Sequence, residues 1–271
     1  LSLLVAVILL YVATGNWHIN VTLANDDVIT SGMRFIIDML IVLAVVVPAA
    51  QFPFQSWLIE SVAAPTPVSA IMHAGIVNAG GIILTRFSPV FNDPLAITIL
   101  LIIASISVLL GSGISLVHVD YKRQLVGSTM SQMGFMLVQC ALGVYSAAII
   151  HLILHGLFKA TLFLQSGSVV KRFNIPTPPS AKRSYSWVVL GRCLAIIIAI
   201  LFWLGSDRSA YEILSALILA WSLMVSWNQM VAFSRGLIGR VIGIIMIVIV
   251  ALVYIVTHHY FYNTLSHVYM N

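Results

Sequence analysis

Long apolar runs and short polar connectors alternate along the whole chain. Hydrophobic runs fall near residues 1–13, 34–50, 68–87, 95–117, 124–142, 146–170, 186–204, 211–233 and 239–260. An α-helix needs about 20 residues to cross the hydrocarbon of a bilayer, and these runs are of that order. A membrane barrel would instead show short segments of alternating polarity. The pattern predicts an all-α protein, a polytopic transmembrane helix bundle with about nine crossings. No repeat is visible and no linker divides the runs, so residues 1–271 read as a single transmembrane domain. Leu1 already lies within a hydrophobic run, without a charged leader, and the chain reads as the C-terminal part of a longer subunit.

One stretch departs from this pattern. From Pro48 to Arg86 the sequence runs PAAQFPFQSWLIESVAAPTPVSAIMHAGIVNAGGIILTR. Pro48 and Pro53 interrupt an apolar helix, and residues 53–64 read as its second half. Pro65 and Pro67 then break the chain again before a helix that carries His73. Proline lacks an amide hydrogen and clashes with the preceding helical turn. In lipid, such a break survives only where it is buried in protein or faces a wet cavity. Broken helices with ionisable groups beside them are a common way to build an ion path.

Composition narrows the class. Hydrophobic residues make up 61% of the chain and charged residues 8%, against about a quarter charged in a soluble domain. Cys140 and Cys193 both sit in apolar runs and read as small buried hydrophobes, with neither a disulfide nor a metal site implied. The net charge of +5 is accounted for by the loops. Alternating sides along the runs places Lys122, Arg123, Lys171, Arg172, Lys182, Arg183, Arg235 and Arg240 on one face. Arg34, Arg86, Arg208, Asp26, Asp27, Asp93, Asp207 and Glu212 fall on the other. Lysine and arginine excess marks the cytoplasmic side. The proline-rich connection 171–185 is therefore expected in the cytoplasm and the C-terminus outside, with no nucleic-acid partner required.

Ionisable groups inside a membrane helix are costly and usually functional. His151, His155 and Lys159 are spaced by four and four, which keeps them on one face of a helix with 3.6 residues per turn. Lys159 falls near the middle of its run and cannot easily reach either interface. An imidazole exchanges protons near neutral pH, so this face can hand a proton along a helix. The alternative is a structural hydrogen-bond stripe between helices. His73 follows Ser69 by one turn and precedes Gly75, Gly80 and Gly81, which permit close helix approach. It is either a proton carrier beside the double proline break or a satisfied buried group. Glu60, after Gln51, Gln55 and Trp57, either holds a cation or pairs with a basic group, or lies at the interface with Trp57 as an aromatic anchor. Asp38 lies close enough to a helix end to read as interfacial. No phosphate loop, nucleophile elbow or zinc-protease HExxH motif is present. A metal held between His151 and His155 is disfavoured, since neither a cysteine nor a carboxylate is near them in sequence.

With these residues in hand, a resemblance is visible. AAQFPFQSWL…APTPVSAIMHAG resembles the signature of the antiporter-like membrane subunits of proton-pumping NADH dehydrogenases and Mrp cation/proton antiporters. DYKRQLVGSTMSQMG, from Asp120, and HLILHGLFKATLFL, from His151, are similar to two further motifs of that superfamily. The likeness runs from about Asp38 to Val170. It implies that the discontinuous helices line a hydrated proton path, to which His73, the His151–His155–Lys159 face and the loop lysine Lys122 belong. The family's buried lysine before the AQFP motif falls here on Pro48, and its second, lysine-bearing broken helix has no counterpart after residue 172. The wording SWLIESVAAPTPVSAIMHAGIVNAGGIILTRFSP is most similar to membrane subunits of the DAB and Mps inorganic-carbon accumulation systems. That similarity implies a cytoplasmic partner, a DabA-like soluble zinc protein resembling a β-type carbonic anhydrase. Cation flow, H+ or Na+, would drive CO2 hydration to bicarbonate there, with the zinc in the partner and no cofactor or metal in this chain. A subunit of NADH:quinone oxidoreductase or of a Mrp antiporter, and a non-conducting membrane anchor, are the alternatives. A cell inner membrane location is implied throughout.

Overall fold

The computed structural model describes residues 1–15, 17, 29–166, 185–205, 210–232 and 236–269. Residues 171–184 of the charged connection lie outside the described residues, as do Asp26, Asp27, Asp207, Arg208, Arg235 and Asn271. The described chain is helical, in two compact units, Leu1–Asn174 and Ile175–Asn271. The first unit contains α1 (Ser2–Thr14), α2 (Ser31–Val46), α3 (Ser56–Glu60), α4 (Thr66–Ala74) and α5 (Ala79–Phe87). It continues through α6 (Pro94–Val117), α7 (Tyr121–Ala141) and α8 (Tyr145–Ser166). The second unit contains α9 (Tyr185–Leu204), α10 (Ala210–Ala232) and α11 (Gly236–Tyr269).

Every predicted hydrophobic run overlaps a helix, with 68–87 divided between α4 and α5, but a helix is not yet a crossing. Among the described residues, four spans are long and apolar enough to traverse a bilayer: Thr66–Phe87, Pro94–Val117, Ala147–Ser166 and Trp187–Leu204. Helix α7 falls short for a physical reason. It packs against both α6 and α8, buries residues from Leu125 to Cys140 on most of its circumference, and so carries Gln, Ser and Thr where lipid-facing helices carry leucine.

The helix ends follow from local chemistry. Asp93 and Asp120 cap α6 and α7, their carboxylates accepting from the amides of Leu95 and Ala96 and of Lys122 and Arg123. Helix α7 closes at Gly143 (φ 78°), where the Gly143 amide reaches the Cys140 carbonyl and the Val144 amide the Gln139 carbonyl. These paired bonds form a Schellman motif, which needs a left-handed residue. It folds α8 straight back on α7. The pair α6–α7 is pressed together at two glycines. A Cβ on Gly111 would lie 2.6 Å from the Ser131 amide nitrogen, and one on Gly127 2.6 Å from that of Ser115.

The first unit has the inverted polarity of a membrane protein. Ile71, Leu109, Leu116, Leu157 and Phe158 are exposed, whereas Asp38, His73 and Lys159 are at most 1% exposed. In water the reverse distribution is favoured, and exposed apolar surface of this extent belongs against lipid or protein.

Candidate functional site

The site begins at the break after α2. Pro48 lies just beyond the end of α2 at Val46, and the chain turns away from the helix axis two residues later. There the Ala50 amide bonds to the Val47 carbonyl and the Gln51 amide to the Val46 carbonyl, with Ala50 left-handed at φ 51°. This is a second Schellman closure, with alanine where glycine is usual. The indole N–H of Trp57 donates to the Val47 carbonyl at 3.0 Å. Trp57 thus fastens the break. Gln51, fully buried, donates to the carbonyls of Ala49 (2.6 Å) and Met130 on α7 (3.3 Å). The Phe52 amide donates to Ser107 Oγ on α6 at 2.9 Å. Pro53 is exposed just beyond.

Helix α3 runs into a 3-10 turn, Ser61–Ala63, which ends as Ala64 and Pro65 turn extended. Because the chain turns extended at Ala64, the carbonyls at this end have no following helical turn to donate to them. Lys122, in the first turn of α7, supplies the replacement. Its Nζ donates to the Ala64 carbonyl at 2.9 Å and to the Val62 carbonyl at 3.4 Å. A cation at helical C-terminal carbonyls also complements their partial negative charge. Glu60 stands exposed at the end of α3, apart from the buried groups described next.

His73 is fully buried on α4, and its Nε2 lies 3.1 Å from Ser61 Oγ. The Ser61 hydroxyl spends its one proton on the Leu58 carbonyl at 2.5 Å. His73 Nε2–H must therefore donate to Ser61, which leaves Nδ1 as a bare acceptor, and that atom is buried without a partner. The ring stacks on Phe163 of α8, with centroids 4.3 Å apart and planes 13° from parallel. Helix α4 packs along α8. The approach is closest at Gly156, where a Cβ would lie 3.0 Å from the Ala74 carbonyl oxygen.

The histidine–lysine face of α8 turns inward as its spacing predicts. Lys159 is 1% exposed, and its Nζ donates to the Leu125 carbonyl of α7 at 3.0 Å. His155 is buried with neither ring nitrogen hydrogen-bonded. Its ring meets that of His151 edge-on, with centroids 6.1 Å apart, and it lies near enough to His151, Lys159 and His73 for their charges to interact. His151 Nδ1 lies 3.1 Å from Gln139 Oε1. A carbonyl oxygen only accepts, so this imidazole carries its proton on Nδ1. The structure thus brings the buried His73, His155 and Lys159 and the half-buried His151 into one row between α4, α7 and α8. Among the described residues no three His, Cys, Asp or Glu side chains converge as metal ligands.

Ser61, Gln139, Phe163 and the Leu125 carbonyl are members of this site that the sequence did not single out. Phe163 carries a weak signal, continuing the four-residue spacing past Lys159. Ser61 carries none, since twelve residues and two prolines separate it from the ring it holds. Asp38 is a clear difference. Expected at an interface, it is fully buried, and its Oδ2 accepts from the amides of Asn92 (3.1 Å) and Asp93 (2.8 Å).

Comparison with known proteins adds an ancestry to this geometry. The family model "NADH:quinone oxidoreductase/Mrp antiporter, TM" matches residues 1–243, a wider reach than the motifs alone cover. The chain is 60% identical over 266 residues to the probable inorganic carbon transporter subunit DabB of Bacillus subtilis (strain 168), covering 97% of this chain and 53% of that protein. It is 56% identical to the protein of the same name from Bacillus anthracis, covering 98% of this chain and 52% of that one. The chain therefore spans about half the length of the curated relatives it matches. A chain of the Mrp complex from Dietzia sp. DQ12-45-1b has the same fold with a TM-score of 0.61 and 28% identity, over 95% of this chain and 28% of that one.

Proposed function

This chain belongs to the NADH:quinone oxidoreductase/Mrp antiporter membrane family, and on that premise we propose that it is the cation-conducting part of an inorganic-carbon uptake complex. The observation that carries the reading is the row Gln139–His151–His155–Lys159–His73–Ser61, buried at every member but the half-buried His151. Imidazole nitrogens without a protein partner and an amine, gathered between helices, are groups that can pass protons stepwise through bridging water. The kinship with DabB subunits supports inorganic carbon as the cargo of the complex. In this reading H+ or Na+ moves down its gradient through the membrane subunit. That flow drives one-way hydration of CO2 by a DabA-like soluble zinc partner on the cytoplasmic face, and the zinc belongs to that partner.

The same reading places the chain in the cell inner membrane with nine crossings, residues 171–185 in the cytoplasm and the C-terminus outside. It treats 1–271 as one membrane domain, with His73, His151, His155 and Lys159 as the ion path. Lys122 and the Pro48, Pro53, Pro65 and Pro67 breaks shape that path. Glu60 serves at its edge.

A second reading, a respiratory or Mrp-type subunit, draws on the likeness to the Dietzia Mrp complex. It is weakened by Pro48, which cannot titrate, at the position where the pumping relatives carry a lysine. The deciding experiment is Lys159→Ala in the full-length subunit within its membrane complex. Bicarbonate accumulation falls by about 10²-fold or more while the complex still assembles; normal accumulation would remove the row from the mechanism.

A further inference from the structure

A buried acid lies outside the histidine–lysine row. Asp38, on α2, is fully buried in the first unit, although the polar end of its helix is only two turns away. Its Oδ2 accepts the amides of Asn92 and Asp93, which tie the loop before α6 to α2. Its Oδ1 is buried with no hydrogen-bond partner.

Two charged groups act on it. Arg34 stands one turn earlier on the same helix, and Asp93 stands in the loop packed against it. The Asp93 carboxylate is itself engaged with the amides of Leu95 and Ala96, so it adds negative charge and no donor. Neither protonation state of Asp38 finds a partner for Oδ1 among the described residues. Ionised, that oxygen is a buried anionic acceptor with nothing bonded to it, which is costly. Protonated there, the acid has an O–H without an acceptor. A staple for the loop would need only Oδ2, and an asparagine would provide it. The acid is therefore in excess of its structural task.

We propose that Asp38 Oδ1 is an exchange site for a monovalent cation, a proton or Na+, at the end of the unit where α5 passes into α6. That end is opposite Lys122, because α4 and α5 climb from the Pro65 break to Phe87, about 30 Å at 1.5 Å per helical residue. The site deepens the cation-conducting reading by naming an acid at one end of the unit, and it rests on that reading only for its purpose.

The chemistry can be tested without transport. A hydrophobic carbodiimide reacts with a protonated, buried carboxyl to give a stable N-acylurea, which mass spectrometry locates. In membranes holding the full-length subunit and its partner, labelling at Asp38 rises as pH is lowered and is abolished in Asp38→Asn, which keeps the oxygen that holds the loop. Suppression of labelling by Na+ at fixed pH assigns Na+ exchange; indifference to Na+ assigns the proton alone. No adduct at Asp38 at any pH, or an adduct unchanged by pH, overturns the proposal. Labelling that titrates while Lys159→Ala leaves carbon uptake normal would keep the Asp38 site and discard the conduction reading, so the two fail separately.

Discussion

At the scale of single residues, the row is defined by what each polar atom lacks. His73 spends Nε2 on Ser61 and keeps Nδ1 bare, and His155 keeps both nitrogens bare. Buried polar groups are nearly always hydrogen-bonded, so orphans gathered in one place call for a functional account. His73→Ala removes a carrier from the row while Ser61 keeps its bond to Leu58. Carbon uptake by the full complex is expected to drop by about tenfold or more, with assembly intact; uptake unchanged across the pH range would return His73 to a packing role. Trp57→Phe separates structure from transport. It deletes one hydrogen bond at the α2 break, costs about 1 kcal/mol, and is expected to lower the unfolding midpoint of the purified complex while leaving uptake near its original rate.

At the scale of elements, the break and the hairpin hold the row in register. Lys122 bridges α7 to the carbonyls at the end of the Ser61–Ala63 turn, so Lys122→Met loses charged hydrogen bonds worth about 1.5–3 kcal/mol. Lys122→Arg still donates but does not give up its proton. It is expected to keep both stability and uptake, and a stable complex that no longer transports would instead make Lys122 a proton carrier. Gly127→Ala forces α6 and α7 apart, since its Cβ meets backbone 2.6 Å away; a cost of about 1–3 kcal/mol is expected in thermal unfolding. The helices themselves were legible in the sequence because lipid demands long apolar runs, and the His151–Lys159 face because 3.6-residue geometry is unforgiving. The 3-10 interruption at Ile76–Asn78 was not, since Gly75 reads equally well as a close-packing residue. Nor was the inward burial of Asp38, which depends on a loop fifty-four residues away folding over it.

At the scale of the whole molecule, the inverted polarity and the family place this chain in a membrane, and in the proposed function the histidine–lysine row is the path through it. Sidedness rests on charge alone, and half of the basic residues on the expected cytoplasmic face, those in 171–184, lie outside the described structure. Cysteine placed in that connection is expected to react with an impermeant reagent only from the cytoplasmic side; labelling from outside intact cells would invert the topology. The proposed coupling of ion flow to carbon uptake is tested most directly by following labelled inorganic carbon into cells that hold the full-length subunit and the proposed zinc partner, before and after a protonophore or a Na+ ionophore. Uptake is expected to require both subunits and to collapse when the gradient of the conducted ion is dissipated. Uptake that continues at its original rate with both gradients abolished would contradict an ion-driven role for this subunit.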